Sequence, residues 1–244
     1  MKLISLNIWE GKIYQPLVYF LEQYSKSTDI FCFQEVFQNA DAGRNQNLVF
    51  TEVKKILPDF EGYFEDYVDH GDYNKEGLAI FIRKEIKVND RGEIFVYNPE
   101  IISLGNDDPK SLWRNLQFAK LTRDGKNYTV ANFHGLFDGP NKGDNLNRME
   151  QSRRVKEFLD NTEGRKILCG DFNLLPNSES LRILEIGMLN LIRKYGILST
   201  RSSYFDYPNK FADYVLVSPD LTINKFEVMN YSVSDHLPIF LDFE

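Results

Sequence analysis

Hydrophobic and polar residues along the chain follow two different periods. Dense or alternating apolar runs are typical of β-strands, whereas apolar residues three and four positions apart are typical of helices. The runs predict strands at 2–8, 29–34, 60–68, 77–83, 87–97, 116–122, 128–133, 166–170, 211–217, 221–229 and 237–243. The helical spacing predicts helices at 15–26, at 45–57, from a cap at Asp144 or Asn145 through 160, and from the cap 177–179 to 186. Polar loops are expected at 69–76, 99–110 and 138–143.

The order of these elements predicts an α/β fold, a sandwich of two mixed sheets. Several strands follow one another without a helix between them, as around the turn at 124–127, and such pairs form antiparallel hairpins. A doubly wound parallel sheet needs a crossover helix between successive strands, so this alternative is disfavoured. The chain has no internal repeat, low-complexity tract or linker, and residues 1–244 are therefore expected to form a single domain.

Composition narrows the class of protein. The 244 residues are 42% hydrophobic and 14% aromatic, which suffices for a large core. The two cysteines, Cys32 and Cys169, lie in apolar runs and are expected to be buried hydrophobic side chains rather than a disulfide or a thiol site. No apolar run approaches a membrane span and no secretory signal begins the chain, so a soluble, cytoplasmic monomer is expected.

The net charge is −7, which argues against tight non-specific binding to a nucleic-acid backbone, because such binding needs a basic face. Nuclease chemistry stays possible, since acidic metal ligands add to the negative count and the bound metal reverses the local field.

Polar groups stand at the ends of several predicted strands. The sequence Gly170-Asp171-Phe172-Asn173 ends one strand, and alternation would direct Asp171 and Asn173 to one side and Phe172 to the core. A turn or a solvated strand end would explain each such group alone. Together they predict a cleft where strand ends gather, and the set is Asn7, Glu35, His134, Asp171, Asn173, Asp213, Asp235 and His236.

This set of residues suits metal-assisted hydrolysis of a phosphoester. Carboxylate oxygens are preferred ligands of Mg²⁺ and Mn²⁺, which neutralise phosphate charge in the transition state. A histidine oriented by a carboxylate can transfer a proton, and amides can position a phosphate without adding negative charge. The chain lacks the Gly-rich phosphate loop, the nucleophile elbow and the zinc-protease helix of other hydrolases.

At these positions the sequence resembles the endonuclease/exonuclease/phosphatase superfamily, whose fold is exonuclease III-like or DNase I-like. The matching pieces, in the family's order, are 5–8, 29–36, 77–81, 132–134, the helix with Arg148 and Gln151, 170–173, 211–217 and 234–238. The resemblance implies a four-layer α-β-β-α sandwich with the site at one edge of the sheets.

The resemblance also implies roles for individual residues. Asn7, Glu35 and Asp235 would hold Mg²⁺ or Mn²⁺, with Glu35 as the main ligand. Asp171 would orient or activate the attacking water, and Asn173 would position the phosphate. The histidines would act on the phosphate: His236, oriented by Asp213, would share the acid–base work, and His134 would stabilise phosphoryl oxygens or the leaving group.

Departures from the family pattern bear on the substrate. Abasic-site endonucleases have tyrosine where this chain has His134, and arginine where it has Phe211. Arg201 and Tyr204 lie where family members place substrate-reading residues. The expected function is metal-dependent hydrolysis of phosphoesters, with phosphodiesters as the preferred substrates. The alternatives are an endo- or exonuclease that acts on DNA or RNA, and a non-catalytic binding module that retains the fold.

Overall fold

The computed structural model of the chain describes residues 1–39, 48–69, 75–97, 114–137, 139 and 142–244, with backbone alone at 67–69. These residues form two six-stranded sheets. The strands are β1 Lys2–Asn7, β2 Ile30–Phe37, β3 Phe60–Asp69, β4 Lys75–Arg83, β5 Lys87–Tyr97, β6 Arg114–Arg123, β7 Lys126–His134, β8 Arg165–Asp171, β9 Leu189–Asn190, β10 Asp213–Val217, β11 Ile223–Val228 and β12 Ile239–Phe243. The helices are α1 Tyr14–Tyr24, α2 Phe50–Ile56, α3 Leu146–Asp160, α4 Glu179–Glu185 and α5 Leu191–Lys194, with a 3-10 turn at Trp9–Gly11.

Each sheet has one parallel pair at its centre and antiparallel strands around it. The first sheet runs β11-β12-β1-β2-β4-β3 and the second β5-β6-β7-β8-β10-β9. The parallel pairs are β1 with β2 and β7 with β8. In each pair a helix lies between the strands in sequence, α1 in the first and α3 in the second, because a parallel connection must return to the same edge.

Strands inside the sheets, such as β2 and β10, are buried along nearly their whole length because both of their faces are covered. In β2, Ile30 and Cys32 belong to the cluster shared by both sheets, whereas Phe31 and Phe33 belong to the cluster under α1. On the opposite side of the molecule, α3 packs on the second sheet, where the Phe158 and Phe118 ring centroids are 5.0 Å apart. The predicted four-layer α/β sandwich of two mixed sheets is therefore confirmed.

Several local predictions differ from the structure. The strand expected at 211–217 begins only at Asp213, since the Ala212 N–H donates to the Thr200 hydroxyl (3.2 Å) and its carbonyl accepts from Phe172 (2.8 Å). Of the helix expected at 45–57, the structure shows Phe50–Ile56, and residues 45–47 lie outside the described residues. Parts of the expected loops also lie outside the described residues, namely 70–74, 99–110, 138, 140 and 141. The sequence did not predict β9 or α5.

Two composition-based predictions can be compared with the structure. Cys32 and Cys169 are buried and free, as expected. None of the described helices has the length and apolar character that a membrane crossing requires.

Candidate active site

Four strands meet at one edge of the sandwich; β1, β7 and β8 end there, whereas β2 continues past Glu35 to Phe37. Parallel neighbours end on the same side of a sheet, so β1 and β2 bring Asn7 and Glu35 together, and β7 and β8 bring His134 and Asp171 together. The amide of Asn7 joins the two sheets: Nδ2 donates to Glu35 Oε1 (2.9 Å) and to Asp171 Oδ2 (3.1 Å). Residues far apart in sequence thus form one polar cluster at the sheet edge.

Glu35 reaches this edge through an irregularity in β2. The pairing of β2 with β4 shifts register between Phe33 and Val36, and Glu35 adopts a φ of 54°. The buried amide of Asn132 supports the bulge, because its Nδ2 donates to the carbonyls of Phe33 (3.0 Å) and Ala79 (3.3 Å). A bulge re-aims a side chain, and here it directs Glu35 to the cluster instead of to a sheet face.

A strained turn presents Asp171 and Asn173. Gly170 has a φ of +136°, and a Cβ there would lie 2.0 Å from the carbonyl of Phe133, so only glycine fits. Asn173 has a φ of 52°; its N–H donates to Asp171 Oδ1 (2.9 Å) and its Nδ2 to the Gly135 carbonyl (3.2 Å). The intervening Phe172 is fully buried in the core.

A histidine and an aspartate form a buried pair beside Asp171. His236 Nδ1 lies 2.8 and 2.9 Å from the two carboxylate oxygens of Asp213, and Nε2 lies 3.5 Å from Asp171 Oδ2. Asp213 stands opposite Asp171 in the register of β10 and β8. The carboxylate inside an apolar stretch is therefore paired, as burial requires.

The second histidine lies across the cluster. His134 Nε2 is 3.8 Å from Glu35 Oε1 and 3.9 Å from Asp171 Oδ2, beyond hydrogen-bonding distance. Ligand atoms of these three residues lie within 4.8 Å of one another, and so do those of Asp171, Asp213 and His236. The carboxylates in these two groups are ligands that fit a divalent cation such as Mg²⁺ or Mn²⁺.

Two predicted metal ligands have other contacts. The side-chain oxygen Oδ1 of Asn7 accepts a hydrogen bond from the Trp9 N–H (2.9 Å), so the side-chain amide directs its nitrogen to the carboxylates. Asp235 Oδ2 accepts from Arg201 Nη1 (2.9 Å). Their role as metal ligands stays a prediction.

The cluster opens into a cleft of about 330 Å³. Of the eight predicted catalytic or metal-binding residues, all but Asn7 and Asp213 line the cleft. Asn7 contacts the lining residue Glu35, and Asp213 lies behind His236. The predicted substrate residues separate, since Arg201 lines the cleft whereas Tyr204, 47% exposed, is not among the lining residues. Residues that sequence reasoning missed also line it: Trp9, Glu10, Glu76, Arg114, Phe137 and Phe205.

The missed residues carried little signal in the sequence. Trp9 and Glu10 directly follow a strand end that was recognised, and their positive φ values of 50° and 57° appear only in the structure. Arg114 begins β6 and donates from Nε to the Gly135 carbonyl (3.2 Å), a contact between distant segments.

Burial and neighbouring charge separate the protonation of the acids and histidines. Burial raises the pKa of Glu35 to about 7, although the hydrogen bond from Asn7 opposes the shift. Burial, together with the charge of Arg114, lowers the pKa of His134 to about 3, so this imidazole is neutral.

The opposite shifts occur at the other two groups. Burial would raise the pKa of Asp171, but the positive charges of His236, Lys142 and Arg201 outweigh it and hold that pKa well below its ordinary value. Burial would lower the pKa of His236, but the Asp213 carboxylate outweighs it and raises that pKa. The cleft thus combines a firmly ionised carboxylate, a neutral imidazole and an imidazole whose pKa is raised, a set suited to acid–base chemistry.

The sequence profile of the endonuclease/exonuclease/phosphatase family matches residues 4–236. The chain belongs to this family. Its members are hydrolases that act on phosphoesters. No curated protein matches the chain by sequence.

Solved structures of several family members share the fold. A mannosyl-6-phosphatase from Bacteroides thetaiotaomicron aligns with a TM-score of 0.77 and 18% identity, over 100% of this chain and 99% of that one. A family member from Bacteroides vulgatus aligns with a TM-score of 0.75 and 21% identity over 100% and 98%. TDP2 from D. rerio, in complex with a single-strand DNA product, aligns with a TM-score of 0.70 and 18% identity over 100% and 98%. At identities this low, these alignments establish the common fold alone.

Proposed function

We propose that the protein is a divalent-metal-dependent phosphoester hydrolase, with phosphodiesters as the first substrate class. The observation that carries the proposal is the cluster in which Asn7 joins Glu35 to Asp171, and Asp171 adjoins the His236–Asp213 pair. Hard oxygen donors, a poised acid–base pair and amide donors lie in one cleft. Metal-assisted attack of water on phosphorus uses these three kinds of group.

Glu35 and Asp171, whose carboxylate oxygens lie within 4.8 Å of each other, would hold the cation. When bound, the cation would neutralise the negative charge of the phosphoryl oxygens. Mg²⁺ would use the carboxylates and keep several waters, because it dehydrates reluctantly. Binding would also reverse the effect of burial on Glu35, since the ligand must be ionised.

The remaining groups would act on the water and the leaving group. Asp171, ionised at all working pH values, would orient the attacking water. His236, whose pKa is raised by Asp213, would share the acid–base work, and neutral His134 would donate a hydrogen bond to a phosphoryl oxygen. Each such group typically contributes about 10²- to 10⁴-fold to the rate.

The direct test is hydrolysis of bis(para-nitrophenyl) phosphate with Mg²⁺, Mn²⁺ or EDTA. Wild-type protein should turn over with metal and stop with EDTA, and Glu35→Ala should lose at least about 10²-fold. Glu227→Ala, in an exposed ion pair with Lys225, is the matched control and should be unaffected. Turnover that survives both chelation and Glu35→Ala would exclude the metal mechanism.

Two alternatives give different results in the same experiment. A nuclease would cleave a single-stranded DNA or RNA oligonucleotide faster than the small diester; the DNA product bound by the structural neighbour makes this comparison worthwhile. A non-catalytic binding module would fail to bind Mg²⁺ by calorimetry and would turn over none of the substrates.

A further inference from the structure

The guanidinium of Arg201 lies inside the cleft against the acid–base pair. Nη1 donates to Asp235 Oδ2 (2.9 Å) and also contacts His236 Nε2. The ring of Phe205 stacks on the guanidinium, 4.2 Å from its central carbon. The side chain is only 5% exposed. This cation is therefore held on one side by a carboxylate and on one face by an aromatic ring.

One donor of this buried cation remains unused. Nε of Arg201 has no hydrogen-bond partner among the residues that the structure describes. A buried donor without a partner is unfavourable, so such a group indicates a ligand that completes its contacts. The planar fork of a guanidinium matches the oxygens of a phosphate, to which it donates two parallel hydrogen bonds.

The backbone makes the placement rigid. Arg201 and His236 form an isolated antiparallel bridge, so the arginine cannot shift without the histidine. The N–H of Arg201 donates to the Ser199 hydroxyl (3.1 Å). Arg201 lines the cleft beside His236, whose Nε2 lies 3.5 Å from Asp171 Oδ2. A phosphoryl group in contact with His236 and Asp171 would therefore lie in reach of Arg201.

We propose that Arg201 is a specificity-determining residue that binds a non-bridging oxygen of the substrate phosphoryl group. Phe205 is the positioning residue that holds the guanidinium flat. A cation interacts more strongly with a dianion than with a monoanion. Arg201 therefore extends the site to phosphomonoesters, which carry two negative charges and a third non-bridging oxygen. This inference rests on the proposed phosphoester hydrolysis and adds the dianionic monoesters to the phosphodiesters as a second substrate class.

The test compares two substrates with the same leaving group, para-nitrophenyl phosphate and bis(para-nitrophenyl) phosphate, in Mg²⁺ at a pH where the monoester is a dianion. Arg201→Ala should lower kcat/KM for the monoester by about 10- to 100-fold more than for the diester, as expected for the loss of a hydrogen bond to a charged group. Arg201→Lys keeps the charge but loses the fork, and should fall between wild type and Arg201→Ala. Arg182→Ala, at an exposed ion pair with Glu179, is the control.

Equal losses for both esters would overturn the inference, because they would mean that Arg201 acts only by positioning Asp235 and His236. Unchanged rates for both would overturn it as well. Phe205→Leu leaves every charge in place and should produce a smaller loss with the same monoester bias. If Arg201→Ala fails to fold, Arg201→Lys and Phe205→Leu still decide the question.

Calorimetry with inorganic phosphate separates this inference from the proposed function. In Mg²⁺, wild type should bind phosphate about 10-fold or more tightly than Arg201→Ala. A wild-type protein that hydrolyses neither ester but binds phosphate through Arg201 would refute the proposed function and leave the arginine site standing. Equal phosphate binding by the two proteins would overturn the arginine site, whatever the turnover.

Discussion

Asp213→Asn removes one negative charge from the acid–base pair and nearly preserves the shape of the side chain. Both carboxylate oxygens of Asp213 lie within 2.9 Å of His236 Nδ1, and both side chains are almost completely buried. A hydrogen bond to a charged group contributes about 1.5–3 kcal/mol. If this interaction supports the imidazolium in the transition state, its loss lowers kcat by about 10- to 150-fold.

The same substitution changes the pH dependence. Asp213 raises the pKa of His236 although burial would lower it, so the variant should have a lower His236 pKa. The limb of the pH–rate profile that belongs to His236 should therefore move to lower pH. The assay is kcat for an aryl phosphodiester in Mg²⁺ across the pH range, with urea unfolding to verify the fold. Asp220→Asn, at an exposed surface contact 3.9 Å from Arg165, is the matched control.

A folded Asp213→Asn variant with wild-type kcat and an unshifted profile would refute this reasoning. It would show that the short contacts between Asp213 and His236 are structural and that the proton is transferred by another group.

Further predictions concern stability. Burial raises the pKa of Glu35 from 4.5 to about 7, so the metal-free fold loses stability as the pH rises through this window. Glu35→Gln should therefore be more stable than wild type by on the order of 1–3 kcal/mol above this pH window and equally stable below it, as measured by urea unfolding in EDTA. Gly170→Ala places a Cβ 2.0 Å from the Phe133 carbonyl and should cost at least about 3 kcal/mol, whereas Gly187→Ala, with nothing within 4 Å, should cost about 1 kcal/mol; similar melting shifts would contradict the clash. Asn132→Leu should destabilise the fold by about 2–4 kcal/mol and weaken Mg²⁺ binding in calorimetry, because two buried carbonyls at the Glu35 bulge lose their donor. An unchanged Mg²⁺ affinity would show that the bulge keeps its conformation without Asn132.

The amino-acid sequence by itself predicted most of the strands and helices and the protein family. Period and apolar density identify strands because each buried strand needs apolar residues on both faces, and this is why β2, β7 and β8 were found. Asp213 could be singled out because a carboxylate in an apolar strand needs a partner. The ordered set of polar strand ends then pointed to the family, which the family profile confirmed.

Only the tertiary structure decided which groups touch. The bridge from Asn7 to Asp171 joins residues 164 positions apart in sequence, and no local period encodes that contact. The bulge that aims Glu35 depends on the Asn132 amide from the opposite sheet. Arg201 was predicted as a substrate residue, but its contacts with Phe205 and Asp235 and its burial appear only in the structure. Hydrophobic pattern is a local property, whereas a cluster of polar groups is set by the packing of distant strand ends. This is why the sequence could nominate candidate residues but could not predict their contacts.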